Sequence, residues 1–171
     1  MKIILERYYG DWRVTKSVMR VVENVETQRD GSLAGGALED GSSQRLLLEC
    51  EAREPKFAQY VKAFPGCSKC CLACGTFACK VVSTELSPMT VSVVKSPGHH
   101  GCRIGWDYLA QVRANMVLVG ESDGYENPEF RDIIRSKETF ERLEKLVYAA
   151  YAEGERIEME VRNRVEYMVN C

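Results

Sequence analysis

No stretch of this chain approaches the roughly 20 consecutive apolar residues that cross a bilayer as a helix, so no membrane span is expected. Its first apolar run, Ile3-Ile4-Leu5, meets Glu6 and Arg7 at once and is too short for the apolar region of a secretory leader. The expected location is the cytoplasm in which the chain is made, unless a virion or a phage lysis system carries it out. Excess positive charge is missing too. The chain has 23 Lys and Arg against 25 Asp and Glu, net −2, with the basic residues dispersed, unlike the basic footprint of a nucleic-acid binder. Nucleic acid is therefore not an expected partner. Internal repeats are absent, and the one biased tract is a glycine-rich stretch.

What is present suits a single domain over residues 1–171. With 45% hydrophobic and 28% charged residues, the chain can bury a core and is not disordered. Residues 2–9 and 12–23 are rich in β-branched side chains and flank Gly10-Asp11, which predicts a hairpin. In it, Val14, Ser17 and Met19 do not keep perfect alternation. Residues 26–44 carry Asp30-Gly31, Gly35-Gly36 and Asp40-Gly41 and read as a surface loop. A short buried strand is expected over 46–50. Residues 51–65 are ambiguous, since Phe57, Tyr60, Val61 and Phe64 have helical spacing.

Paired strands over 80–85 and 90–95 are predicted around the turn at 86–89, and an interior strand over 116–119. The clearest helix covers 137–152, with Ser136 as N-cap, Phe140, Leu143, Leu146 and Val147 on one face, and Gly154 as the stop. Two strands, 157–161 and 165–169, then alternate apolar and polar residues. Glu6, Arg7, Glu158, Glu160 and Arg162 read as solvated strand positions. The predicted fold is α+β, mainly β: a small antiparallel β-barrel or sandwich with one long C-terminal helix. Antiparallel pairing is expected because only one helix is available for crossovers.

Eight cysteines are many for this length. Five fall in the cluster 67–79, where Cys67, Cys70, Cys71 and Cys74 form C-x2-C units followed by Cys79. That spacing lets two thiolates reach one tetrahedral zinc, so Cys67, Cys70, Cys74 and Cys79 are the candidate ligands and zinc the candidate cofactor. Against this, zinc ribbons separate their knuckles by a dozen or more residues. The alternatives are small buried apolar cysteines or, outside the cell, a disulfide such as Cys67 with Cys79. The acidic turn 123–129 lacks the spacing of a calcium loop.

Ala73-Cys74-Gly75-Thr76-Phe77, the turn Pro97-Gly98, Gly101-Cys102-Arg103-Ile104 and Val117-Leu118-Val119-Gly120 follow one another ahead of the helix and its trailing strand. In that order they resemble a family of phage, prophage and Bacteroidetes proteins of unassigned function. Its signature runs I-P-x-G-x-Y, a Pro-Gly turn, G-x-R-I-H-x-G-N and T-x-G-C-I-L-V-G. The family's His and Cys are similar to the catalytic pair of L,D-transpeptidases, which act on peptidoglycan through a thiolate activated by a nearby base. Here Gly105 stands at the His position and Met116 at the Cys position, while Arg113 and Asn115 replace the signature's Thr and Gly.

The resemblance therefore implies a pseudoenzyme, acting as a binding or structural module, such as a virion component. Its partners would be a protein, a second copy in a homo-oligomer, or a peptidoglycan-like ligand. A rearranged catalytic dyad of Cys102 with His99 or His100 is the enzymatic alternative, and a small zinc-binding interaction protein a third. Arg103, with an expected partly buried ion pair, and Trp106, Asp107 and Tyr108 are the candidate binding residues, since Trp, Tyr and Arg often carry recognition. The plainer reading of 106–108 is a loop with an aromatic anchor.

Overall fold

The N-terminal hairpin forms as its alternation predicts. Strand β1 (Lys2–Gly10) pairs antiparallel with β2 (Val14–Asn24). The Asp11 carboxylate makes the turn by accepting the Arg13 and Val14 amides at 2.6 and 2.8 Å. The computed structural model describes residues 1–11, 13–25, 44–55, 71–84, 89–96 and 101–164. The remaining elements are β3 (Gln44–Pro55), β4 (Gly75–Val82), β5 (Thr90–Val93), β6 (Arg103–Gly105), β7 (Met116–Ser122), β8 (Ile133–Ile134), helix α1 (Ser136–Ala152) and β9 (Glu158–Asn163). The expected loop, apart from Gln44, lies outside the described residues, as do the helically spaced aromatics at 57–64 and the strand at 165–169.

Eight strands close into a barrel in the order β1-β2-β3-β7-β6-β5-β4-β9 and back to β1, with β8 added beside β7. The mainly β fold with one helix near the C-terminal end agrees with the sequence expectation. The purely antiparallel pairing does not. Two seams, β1 with β9 and β6 with β7, are parallel. Neither needs a helical crossover: the loop 106–115 joins β6 to β7, while β1 and β9 meet from opposite ends of the described chain.

Alternation places Ile3 and Leu5 of β1, Met19 and Val21 of β2, and Leu48, Cys50 and Ala52 of β3 in one core with Ile104, Val117, Val119, Met159 and Val161. Helix α1 adds Phe140, Leu143 and Val147 to the same cluster. Ser17 keeps the β2 alternation after all: Thr15, Ser17, Met19 and Val21 are all fully buried. The apparent break came from two polar side chains among the buried ones. Strand β3 is also longer than expected, running through residues 51–55.

The helix begins one residue earlier than predicted. Ser136 is its first residue rather than its cap, and the cap position is Arg135, at φ 47° with no side-chain capping bond. The Ser136 hydroxyl instead donates to the Val119 carbonyl at 2.6 Å, tying the helix start to β7. Gly154 follows the helix at φ 73°, the left-handed geometry expected of a glycine stop. Gly120 lets these elements meet. A Cβ there would overlap Ile133 Cγ2 and lie 2.7 Å from the Ile134 carbonyl oxygen.

Arg7 overturns the solvated-strand reading. It is 1% exposed, on the alternation that buries Ile3 and Leu5, and it meets Glu54 of β3. Arg7 Nε and Nη2 donate to the two Glu54 oxygens at 2.7 and 2.8 Å. Nη2 also donates to the Leu72 carbonyl at 2.6 Å, while the Leu72 amide donates to Glu54 Oε1 at 2.8 Å. Burial works against the Arg7 charge, but the adjacent carboxylate outweighs it and raises the guanidinium pKa above its ordinary value. Glu6, Glu158 and Glu160 are half-buried and Arg162 exposed, closer to the expectation.

Removing one partner strands the other charge in the interior. Arg7→Met is expected to cost about 3–5 kcal/mol in urea unfolding. Arg7→Met combined with Glu54→Leu should recover a large part of that loss. A single variant losing less than about 1 kcal/mol would contradict the role assigned to the pair.

Candidate functional site

A cleft of about 610 Å³ opens where β6 and the start of β7 meet the loop 106–115. Arg103, Gly105, Trp106, Arg113, Asn115 and Met116 line it, with Thr90 of β5 and Phe140 of α1. The parallel pairing sets Arg103 beside Met116 and Gly105 beside Leu118. Positions 105 and 116 both line this cavity and lie diagonal to one another on the paired strands. A Cβ on Gly105 would lie 3.0 Å from Met116 Sδ. The Thr90 hydroxyl donates to the Ile104 carbonyl at 2.5 Å and braces this edge from β5.

The loop is organised around Asp107, which is 8% exposed. Asp107 Oδ1 accepts the Leu109 amide at 2.9 Å, and Oδ2 accepts Arg113 Nε and Nη2 at 3.0 and 2.6 Å. The Leu109 amide, then the Arg113 guanidinium, hold its carboxyl below the usual carboxylate range. Asn115 closes the loop at φ 58°, and its carbonyl accepts the Arg103 amide at 2.9 Å. Asn is one of the few non-glycine residues that adopts this conformation readily.

Trp106 packs edge-on against Tyr108, with ring centroids 4.6 Å apart. The Lys137 ammonium lies 5.7 Å from the Trp106 ring centre. Tyr108 is 81% exposed and Leu109 75%, so an apolar lip stands beside the cleft.

Of the residues expected to bind, Arg103 and Trp106 line the cleft, Asp107 lies behind it as the anchor of Arg113, and Tyr108 supports Trp106. The expected ion pair of Arg103 is not found. The residue is exposed, and among the described residues no carboxylate pairs with its guanidinium. Arg113, noted in the sequence only as standing in place of the signature's Thr, also lines the cleft, and its pairing with Asp107 was not foreseen. The sequence signal for that pairing was an Asp and an Arg six positions apart in one loop.

The other candidates fall elsewhere. His99, His100, Cys67 and Cys70 lie outside the described residues. Cys102 is 4% exposed. Burial, and next the nearby Glu54, push its thiol up to about 12. Cys74 is exposed and takes no part in the cleft; its Sγ lies 3.6 Å from Arg7 Nη1 and 3.5 Å from Asn163 Oδ1. Cys79 is half-buried on β4, with burial pushing its thiol to about 12. Among the described residues, no group of three or more His, Cys, Asp or Glu side chains gathers to hold a metal. The guanidinium beside Cys74 also repels a second cation there. Among the same residues, no helix is long and apolar enough to cross a membrane.

No family model, curated protein or solved structure matches this chain.

Cys50, Cys79 and Cys102 share the same upward shift, to about 12, from burial. Unfolded, a thiol ionises near ~8.5, so these groups favour the folded state fully below that pH. Their contribution shrinks as pH rises toward the folded values. The urea midpoint is expected to fall from about pH 9 upward, and less steeply in Cys50→Ala. In the folded protein at pH 8, iodoacetamide with peptide mapping should label Cys74 and spare Cys50 and Cys102. Labelling of Cys102 as fast as Cys74 would contradict its burial.

Proposed function

We propose that the chain is a non-catalytic binding module on a scaffold that resembles a cell-wall enzyme, either as a virion component or as a protein that grips a peptidoglycan-like ligand without cleaving it. One observation supports the reading: positions 105 and 116 lie diagonally across paired strands in one cleft, at the places where the resembled family would set a base and a thiolate. The chain places there a hydrogen and a thioether. A thioether has no ionisable proton and forms no acyl intermediate by thiolate attack.

The left-handed backbone at Gly101 and Asn115, and the close approach of β8 to Gly120, give a physical reason for glycine-compatible residues at three positions of the resembled signature. The rearranged-enzyme alternative gains nothing from Cys102, whose thiol is buried and protonated at neutral pH.

Co-sedimentation with purified sacculi tests the reading. Wild type should pellet with the sacculi, Trp106→Ala should bind at least about tenfold more weakly, and no soluble muropeptide should be released. Release of muropeptides that Cys102→Ala abolishes would replace this reading with the enzymatic one. The geometry of the replaced pair has its own test. At pH 7, the thiol introduced by Met116→Cys should be alkylated at least about tenfold faster in combination with Gly105→His than alone. Equal rates would mean the two positions do not face each other.

A further inference from the structure

The cleft presents cationic groups although the chain as a whole is slightly acidic. The whole sequence is net −2, yet the described lining carries two guanidinium groups, Arg103 and Arg113, and no carboxylate. Asp107, in the loop beside the lining, is engaged by Arg113 and the Leu109 amide. A further cation, Lys137, stands over Trp106 at the same rim.

The two arginines differ in how they are held. Arg113 is fixed through Nε and Nη2, which leaves Nη1 without a hydrogen bond to any described residue; Arg103 has no carboxylate partner among them. A guanidinium already held in place loses less conformational entropy when it binds, and the Nη1 hydrogens with the second Nη2 hydrogen of Arg113 remain to donate to a carboxylate or phosphate oxygen. In the same lining Trp106 offers an aromatic surface, packed against the core and in edge contact with Tyr108. Arg113 is also where the chain departs from the resembled signature, which has Thr there, so this charge belongs to the present chain.

We infer that the cleft recognises a ligand by an oxyanion, a carboxylate or a phosphate, clamped by Arg103 and Arg113 with an adjoining ring over Trp106. The inference rests on the cleft being a ligand site, as proposed above, and does not require that the ligand come from a cell wall.

Calorimetric titration of the full chain separates the two. N-acetylmuramic acid, its uncharged methyl ester and inorganic phosphate serve as probes. Binding of the acid at least about tenfold tighter than the ester, with Arg103→Gln and Arg113→Gln each weakening the acid by about tenfold or more and leaving the ester unchanged, supports the clamp. Arg113→Lys, which keeps the charge and loses the fork, should fall between wild type and Arg113→Gln. Thermal melts matching wild type show that the variants are folded. Arginine-dependent binding of phosphate, with no binding of the acid or of sacculi, keeps the oxyanion clamp and removes the cell-wall ligand. Equal binding of acid and ester, or no binding of either anion, overturns the clamp, while sacculus co-sedimentation still decides the reading above.

Discussion

Inside the barrel a guanidinium and a carboxylate face each other with water excluded, and the surrounding backbone completes both. Burying two such charges is costly unless every donor and acceptor is engaged. Arg7 and Glu54 meet that condition because Leu72 supplies a carbonyl to one and an amide to the other. The pair thereby joins β1, β3 and the segment leading into β4. It also opposes sliding. A one-residue slip of β1 would turn Glu6 inward beside Glu54 and expose Arg7, placing two carboxylates in the interior. Burial on this scale is weak grounds for added stability, and a structural role in register is the better-attested use of such pairs.

The cleft depends on the same wall. Strand β7 is hydrogen-bonded to β3 on one side and β6 on the other, so the frame that holds Glu54 also holds Met116 and, through β6, Gly105 and Arg103. The loop 106–115 is given shape by one buried carboxylate together with Trp106, which packs against the core. Ser136 extends that frame: its hydroxyl reaches β7 and lies 3.4 Å from the Asp107 amide. Helix, barrel and loop are thus connected by polar contacts at a single corner.

Much of the fold was legible in the sequence. The hairpin and α1 declare themselves by period, and Gly154 by its position after the last apolar helical residue. Arg7 was not legible, because one charged residue in an alternating strand resembles any solvated position, and its partner is 47 residues away. The parallel seams were hidden for a related reason: pairing between distant strands leaves no local pattern. The ordered residues from Gly101 to Gly120 drew attention to positions 105 and 116, and both line the cleft. The Asp107–Arg113 contact was not, since it arises from a loop whose path depends on the left-handed turns at Ala110 and Asn115.

The seam between β1 and β9 has a consequence for how the barrel is made. Strand β1 is completed on one side by β9, the last strand among the described residues, Lys2 aligning with Glu158 and Arg7 with Asn163, and β9 is also the neighbour of β4. During synthesis, β1 and β4 therefore each keep a row of unpaired amides and carbonyls until residues 158–163 leave the ribosome. Cylinder closure is a late event, and a nascent chain stalled before it would present two sticky edges to its neighbours.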